Sequence, residues 1–196
     1  VESRPNQLAN DRILVRKVLA GDQRAFSQII KATEGLVAQI IFKMIANPDD
    51  RKDMAQDVYL KVYQQLGRFR FQAKLSTWIG QITYHTCLHH LERKKIALVP
   101  IGDSDLEPSP GFSTPFENEI ESQLIREELS QLVADAMDQL NPIYRTLITL
   151  YHQEELSYSE IGQIVQLPEG TVKSYLFRAR KVLKEHVLWI YNTKIG

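Results

Sequence analysis

Two helical patterns separated by only three residues constrain this chain more than any other feature. They fall in 156–184, which reads LSYSEIGQIVQLPEGTVKSYLFRARKVLK. The first pattern places Ile161, Ile164 and Val165 on one face. The second places Val172, Leu176, Ala179 and Leu183 at i, i+4, i+7 and i+11, the spacing of one helix face. Gln166-Leu167-Pro168 between them is long enough only for a tight turn. Pro168 suits the first position of the second helix, where a missing N–H costs nothing. Ser157 or Ser159 can cap the first helix, and Glu160, three residues after Ser157, completes a capping box. Two short helices crossing at such a turn make a helix-turn-helix, whose second helix enters a DNA major groove.

Charge agrees with that expectation. From Leu129 to Pro168 the one basic residue, Arg145, faces Asp135, Asp138, Glu154, Glu155 and Glu160. From Glu169 onward, Lys173, Arg178, Arg180, Lys181, Lys184 and Lys194 face only Glu169 and Glu185. Basic charge therefore sits on the second helix and just beyond it, where phosphates would lie. An ordinary basic helix packed on a core would explain the charge alone. It would not explain the turn and the caps beside it.

The net charge is zero, with 24 basic and 24 acidic side chains, but the charges are segregated. Residues 1–96 carry a net +7, residues 97–128 a net −7, and residues 129–196 balance. Blocks of opposite sign suit a protein with more than one kind of partner surface. At 196 residues and 43% hydrophobic content, one large or two small domains with real cores are feasible. Cys87 is the only cysteine, so no intrachain disulfide can form. No secretory-type segment opens the sequence, and no apolar run has the length of a membrane span. A cytoplasmic monomer without membrane insertion is expected.

Taken in order, the chain alternates helical patterns with breaks. Residues 1–10 are expected to fray. A short helix over Arg12–Ala20 stops at Gly21, and Asp22 caps a long one running from Phe26 to Ile45. Asn47-Pro48 ends that helix, and Asp49 and Asp50 open the next at the positive end of its dipole. Met54, Val58, Val62 and Leu66 are its buried ladder, and Asp53, Gln56, Asp57 and Lys61 its polar face. Arg68–Leu75, RFRFQAKL, has no periodicity. Ser76 or Thr77 can cap the helix after it, which runs through Trp78, Ile79, Ile82 and Leu91 to Arg93-Lys94-Lys95. No strand stands out, although 97–101 could be briefly extended. Four prolines and a run of acids make residues 98–116 unable to bury enough surface to fold alone. Helices resume near Glu117, with Ile125, Leu129, Leu132, Val133, Ala136 and Leu140 as a core face. Asn141-Pro142 then restarts the chain into Tyr144, Leu147, Ile148 and Tyr151. The fold class expected is all-α: two helical domains, 8–96 and 119–190, joined by a flexible acidic linker at 97–118, the second domain holding the helix-turn-helix.

Three segments in order resemble the bacterial RNA polymerase sigma factors of the extracytoplasmic-function type, in the sigma-70 family. EIGQIVQLPEGTVKSYLFRARKVL at the C-terminal end is similar to that family's helix-turn-helix. DDRKDMAQDVYLKVY at 49–63 is similar to its acidic segment with a Gln-Asp/Glu-Val-Phe-Leu core. FRFQAKLSTWIGQI at 69–82 is similar to its aromatic loop with Thr-Trp before a helix. The resemblance covers roughly 22–95 and 125–184. Departures from the pattern are Gly162 for a usual Ala, Gln166 for a usual turn Gly, and Tyr175 for a usual Arg. His85 and His89 stand where Asn and Asp are common. A non-Gly residue at a turn that needs positive φ costs stability.

The resemblance implies a non-enzymatic initiation factor that needs no cofactor. Asp53, Gln56, Asp57, Tyr59, Leu60 and Lys61 would dock on the clamp helices of the polymerase's largest subunit. Arg68, Phe69, Arg70, Phe71, Gln72, Lys74, Thr77, Trp78, Arg93 and Lys94 would read and melt the −10 element, since aromatic faces stack unpaired bases and basic side chains track the backbone. Phe69 and Phe71 could instead be core, and Trp78 suits a core position that holds the loop from below. Glu169, Gly170, Thr171, Lys173, Ser174, Tyr175, Arg178, Arg180 and Lys181 would read the −35 element as duplex. The linker acids would mimic nucleic acid in the RNA path, and an anti-sigma protein is an expected partner. No nucleophile–base pair or phosphate loop stands in the sequence. His85 and His89, one turn apart, are too few for a structural zinc site. The competing reading is a helix-turn-helix regulator acting without polymerase. It would call for a dimerisation face or a sensor domain, and neither is apparent. A third is an interaction module that sequesters other factors, which the basic second helix argues against.

Overall fold

The computed structural model describes residues 4–94 and 121–195. The linker at 97–118, with its short extended stretch, lies outside the described residues, as do Lys95 and the side chains of Ile125 and Lys194. Among the described residues the chain is helical: eight α-helices and one 3-10 turn.

The N-terminal half has four helices. α1 spans Arg4–Leu19, so much of the segment expected to fray is helical. Gly21, at φ 94°, makes the turn that α1 needs to end. The Asp22 carboxylate then accepts from the Arg24 and Ala25 N–H groups at 2.9 and 3.2 Å and starts α2, Gln23–Met44. Asn47 caps α3, Pro48–Gln65, whose first turn carries Asp49 and Asp50. A 3-10 turn at Leu66–Arg68 leads out of it. α4, Leu75–Arg93, starts one residue before the expected caps Ser76 and Thr77. Its cap comes from elsewhere: Asp11 of α1, itself buried, accepts the Leu75 N–H at 2.9 Å. A helix end can be satisfied by any element that reaches it, so local spacing could not show this one.

The C-terminal half also has four. α5 is Glu121–Asp138 and α6 is Pro142–His152, capped by Asn141. α7, Tyr158–Val165, opens on a complete capping box of Ser157 and Glu160. α8 is Glu169–Ile195, so Pro168 stands just outside it, and the helix runs eleven residues past Lys184. Its extension turns Val187 and Ile190 onto Leu132 and Ala136 of α5. Two residues expected on the α5 core face point away from it: Leu129 and Val133 are 48% and 36% exposed.

The turn between α7 and α8 explains two departures from the family pattern together. Gln166 sits in the left-handed region, φ 58° and ψ 43°, and its N–H and that of Leu167 both close on the Gly162 carbonyl. A Cβ at Gly162 would lie 2.7 Å from the Leu167 carbonyl oxygen. Glycine is required at 162 because of how this turn folds back. Gly162→Ala is expected to destabilise by about 1–3 kcal/mol, the usual cost of overpacking, beyond the roughly 1 kcal/mol that Ala gains in a helix interior. Denaturant midpoints measure it, and a raised midpoint would show that the carbonyl yields at no cost.

The halves do not stand apart. α2 packs on α6 and α4 on α7, and one continuous core holds Ile29, Val58 and Ile79 of the first half with Leu147, Ile164 and Leu176 of the second. A Cβ on Gly80 of α4 would be 3.2 Å from Ile164 Cδ1 of α7, so the missing side chain sets how closely these helices approach.

Candidate nucleic-acid and polymerase interface

α3 presents its polar face outward. Met54, Val58 and Val62 turn inward, which leaves Asp53, Gln56, Asp57 and Leu60 exposed on the opposite side. Two residues expected on that face belong elsewhere. The Tyr59 hydroxyl is half-buried against α2, 3.1 Å from Thr33 Oγ1 and donating to the Ile30 carbonyl, and burial pushes it up. Lys61 turns to α4 and donates to Thr86 Oγ1 at 3.2 Å. A residue 100° from the centre of a helix face lies beside its neighbours, and both occupy such flanks.

The segment 68–74 is held by an aromatic stack. Phe69 lies 4.7 Å from Phe71 and 5.2 Å from Trp78, ring centre to ring centre. Phe69 is buried and supports the loop from within, and Thr77 is buried too. Trp78 is half-buried. Phe71 is half-exposed at φ 57°, with the Arg12 guanidinium 5.5 Å from its ring. A bulky residue held at positive φ is strained, and such strain collects at functional sites. Arg68, Arg70 and Gln72 are exposed. They rim a cleft of about 350 Å³ walled by Phe69 and Trp78 and reached from α7 by Gln163. Arg93 is exposed, whereas Lys94 pairs with Asp50, drawing that carboxyl below its usual range. His90 Nε2 also approaches Asp50, at 3.4 Å. His85 is half-buried beside Tyr84. Burial pushes its ring down, which disfavours a charged, DNA-facing role.

On α8 the Glu169 carboxylate holds the Lys173 ammonium at 2.9 Å, which raises the lysine, and Lys173 also stands 5.2 Å from the Tyr158 ring. Gly170 meets nothing where a Cβ would be, and Ser174 donates back to the Gly170 carbonyl. Thr171 and Arg178 are half-exposed, and Arg180 and Lys181 exposed. Arg180 lies over the Tyr151 ring at 5.0 Å and reaches His152. Tyr151 and Tyr158 stack at 4.9 Å, a pair that no sequence motif singles out because neither lies on α8. Tyr175, expected among the duplex-reading residues, is buried: its ring meets Tyr144 of α6 edge-on at 6.0 Å and carries the Arg178 guanidinium at 5.5 Å. It lies on the flank of the Val172–Leu176–Ala179 ridge, and an aromatic ring there gains more from the core than from water.

The 68–74 segment meets α7. Lys74 Nζ lies 2.7 Å from Glu160 Oε1. Burial opposes the Glu160 charge, but Lys74 and the Ser157 hydroxyl and N–H outweigh it and bring the carboxyl from 4.5 to about 2. The folded value is the lower one, so the stability it contributes is complete above pH about 4.5 and is lost as the pH falls towards 2. Melting temperatures across that range are expected to drop for the wild type and to drop less for Glu160→Gln. Parallel curves would mean that the pair adds no stability.

Comparison with known proteins agrees with this architecture. The sigma-70 region 2 family model matches residues 29–96, and the sigma-70 region 4 model matches residues 130–183. The RNA polymerase sigma-H factor of Pseudomonas aeruginosa is 32% identical over 177 residues, 88% of this chain and 91% of that protein. The ECF RNA polymerase sigma-E factor of Escherichia coli K12 is 31% identical, over 90% and 94%. The structure of CnrH with the cytosolic domain of CnrY superposes with a TM-score of 0.61 at 22% identity, over 90% of this chain and 96% of that one. The sigma factor RpoE of Bartonella quintana, solved with the anti-sigma factor NepR, gives 0.58 at 20% identity, over 83% and 96%. The chain belongs to the sigma-70 family of RNA polymerase sigma factors, among those of extracytoplasmic-function type. Among the described residues no helix is long and apolar enough to cross a membrane.

Proposed function

We propose that this chain joins core RNA polymerase and directs it to promoters, reading the −35 element as duplex with α8 and melting the −10 element with the loop 68–74. The observation that carries the reading is the pairing of two different DNA chemistries on one chain. The loop is aromatic, strained and basic, and suits unstacked bases. The helix is long, carries exposed basic residues at Lys173, Arg180, Lys181 and Lys184, and suits a major groove. A helix-turn-helix regulator acting alone would need only the second. Residues 8–96 would then be the polymerase-binding and −10 domain, 119–190 the −35 domain, and 97–118 the linker between them. Clamp helices of the largest subunit are the partner that fits the Asp53, Gln56, Asp57 and Leu60 face. An inhibitory anti-sigma partner fits too, since the two solved relatives were captured with CnrY and with NepR.

Run-off transcription with core polymerase and a promoter library tests the reading. The wild-type chain is expected to yield transcripts from a defined promoter class, and none without the chain. Replacing Phe71 and Gln72 by Ala is expected to weaken open-complex formation about tenfold or more, since stacking one base contributes roughly 1–3 kcal/mol. Closed-complex binding should hold. Equal losses in both steps would make the loop structural, and a chain that binds promoter duplex but never polymerase would establish the regulator instead.

A further inference from the structure

We infer that the flank of α1 carrying Arg12 and Arg16 is a binding site for the sugar-phosphate backbone of the unpaired DNA strand whose bases the loop 68–74 holds. This rests on the −10 reading proposed for that loop. It adds an element to that reading, since α1 lies outside residues 29–96, which the region 2 family model matches. α1 runs along the loop and meets it at three points. Near the end of α1, Leu19 Cδ2 lies 3.7 Å from where a Cβ on Gly67 would stand. In its middle, the Arg12 guanidinium sits 5.5 Å from the centre of the Phe71 ring. One residue earlier, buried Asp11 accepts the Leu75 N–H at 2.9 Å. The two segments therefore run in opposite directions, residues 19, 12 and 11 against 67, 71 and 75. Arg12, Arg16 and Leu19 stand at i, i+4 and i+7 on one flank of the helix. Arg16 thus falls between the Leu19 and Arg12 contacts, alongside Arg68 and Arg70.

All four arginines are exposed. Among the described residues none of them is ion-paired with a carboxylate, whereas Lys74, Lys94 and Lys173 each are. Unpaired nucleic acid is held by an aromatic face for the base together with cations that follow the backbone. A base on Phe71 brings its own phosphates with it, and Arg12 is the cation against that ring. Val15 and Val18 anchor α1 in the core, so the two arginines start from a fixed helix and less order has to be imposed on binding. The dipole at the end of α1 accounts for basic side chains in its last turn, Arg16 and Lys17. It does not account for Arg12, a turn further back and lying over the ring. An acidic protein surface would suit the arginines, but it leaves the half-exposed, strained Phe71 beside them unexplained.

The test uses the full chain bound to core polymerase, with core polymerase alone as the baseline. The probes are a DNA library randomised over an unpaired stretch and the same library fully paired. Arg12→Gln with Arg16→Gln removes both charges and keeps helix propensity. On the unpaired library its salt slope is expected to fall by about 1.4, at about 0.7 per phosphate contact on a single strand, which is about a 25-fold loss at about 0.1 M salt if the two lines meet at about 1 M. Binding to the paired library and to core polymerase should be unchanged. Arg12→Lys with Arg16→Lys restores charge without the planar guanidinium and is expected to recover most of the slope. A Gln pair with the wild-type slope overturns the site. A Lys pair as weak as the Gln pair does so too, since Arg12 would then serve only to pack Phe71. An equal loss on the paired library, or a loss of core binding, also overturns it, by making the flank a general or polymerase-facing surface. Phe71→Ala separates the site from the reading beneath it. If Phe71→Ala weakens binding to the unpaired library and the Gln pair does not, the −10 reading stands and the α1 site falls. If the Gln pair acts and Phe71→Ala does not, the backbone site stands and base stacking by the loop falls. A wild-type complex that holds the unpaired library no better than core polymerase alone sinks both.

Discussion

Asp53→Lys combined with Asp57→Lys is expected to abolish binding to core polymerase while helicity and melting temperature stay near wild type. Both carboxylates are exposed on α3, and the residues that hold α3 in place, Met54, Val58 and Val62, lie on its other side. Stability therefore has little to lose. Binding has more, because placing like charges across a charged docking face costs several kcal/mol, and about 3 kcal/mol is already a roughly 100-fold loss. Tyr59→Phe is a useful contrast. Its hydroxyl serves Thr33 and Ile30, so its loss should lower stability slightly and leave docking intact. Co-elution with core polymerase decides. A double mutant that still co-elutes at wild-type strength would place the docking surface elsewhere.

The recognition helix should separate three roles within a few residues. Leu176 is fully buried, and Leu176→Ala is expected to destabilise the protein by about 2–5 kcal/mol through reduced burial and a residual cavity. Lys173 lies in the first turns of α8 on an exposed face, positioned by Glu169. Lys173→Ala is expected to change which −35 sequences are accepted, because a direct base contact contributes roughly 1–3 kcal/mol of discrimination. Arg178 lies further along α8, where long basic side chains of a groove-bound helix would meet phosphates. Arg178→Ala should weaken all duplexes alike and lower the salt slope by about 0.9 for each phosphate it leaves without a cation. Binding of the polymerase complex to a −35 library at several salt concentrations measures all three. Uniform loss from Lys173→Ala with selective loss from Arg178→Ala would mean that the helix docks in the opposite orientation.

Much of this chain is legible because its local signals are complete within a few residues. The capping box at Ser157 and Glu160, the Asp22, Asn47 and Asn141 caps, and the apolar ladders of α2, α3 and α8 each depend on neighbours in sequence, and each is found in the structure. Together they determine the all-α class and the helix-turn-helix. Side-chain directions follow the sequence less evenly. Asp53, Gln56, Asp57, Leu60, Arg70, Gln72, Lys173 and Lys181 are exposed, as the roles proposed for them would require. Phe69, Thr77 and Tyr175 are buried, and Tyr59 and Lys61 face other helices. All five stand where a helix neighbour or a short-range aromatic stack decides which way a side chain turns, and a residue-type pattern carries no information about that neighbour.

Contacts between segments far apart in sequence were decided by tertiary structure alone. Asp11 caps a helix 64 residues away. Lys74 meets Glu160 across the linker, and Gly80 meets Ile164. Gly162 reads as an isolated departure from a family pattern until the left-handed turn at Gln166 brings the Leu167 carbonyl to 2.7 Å from where its Cβ would be. Periodicity and caps report what a segment does with its own backbone. Which faces then meet depends on shape complementarity over the whole buried surface, and that exists only once the helices have packed.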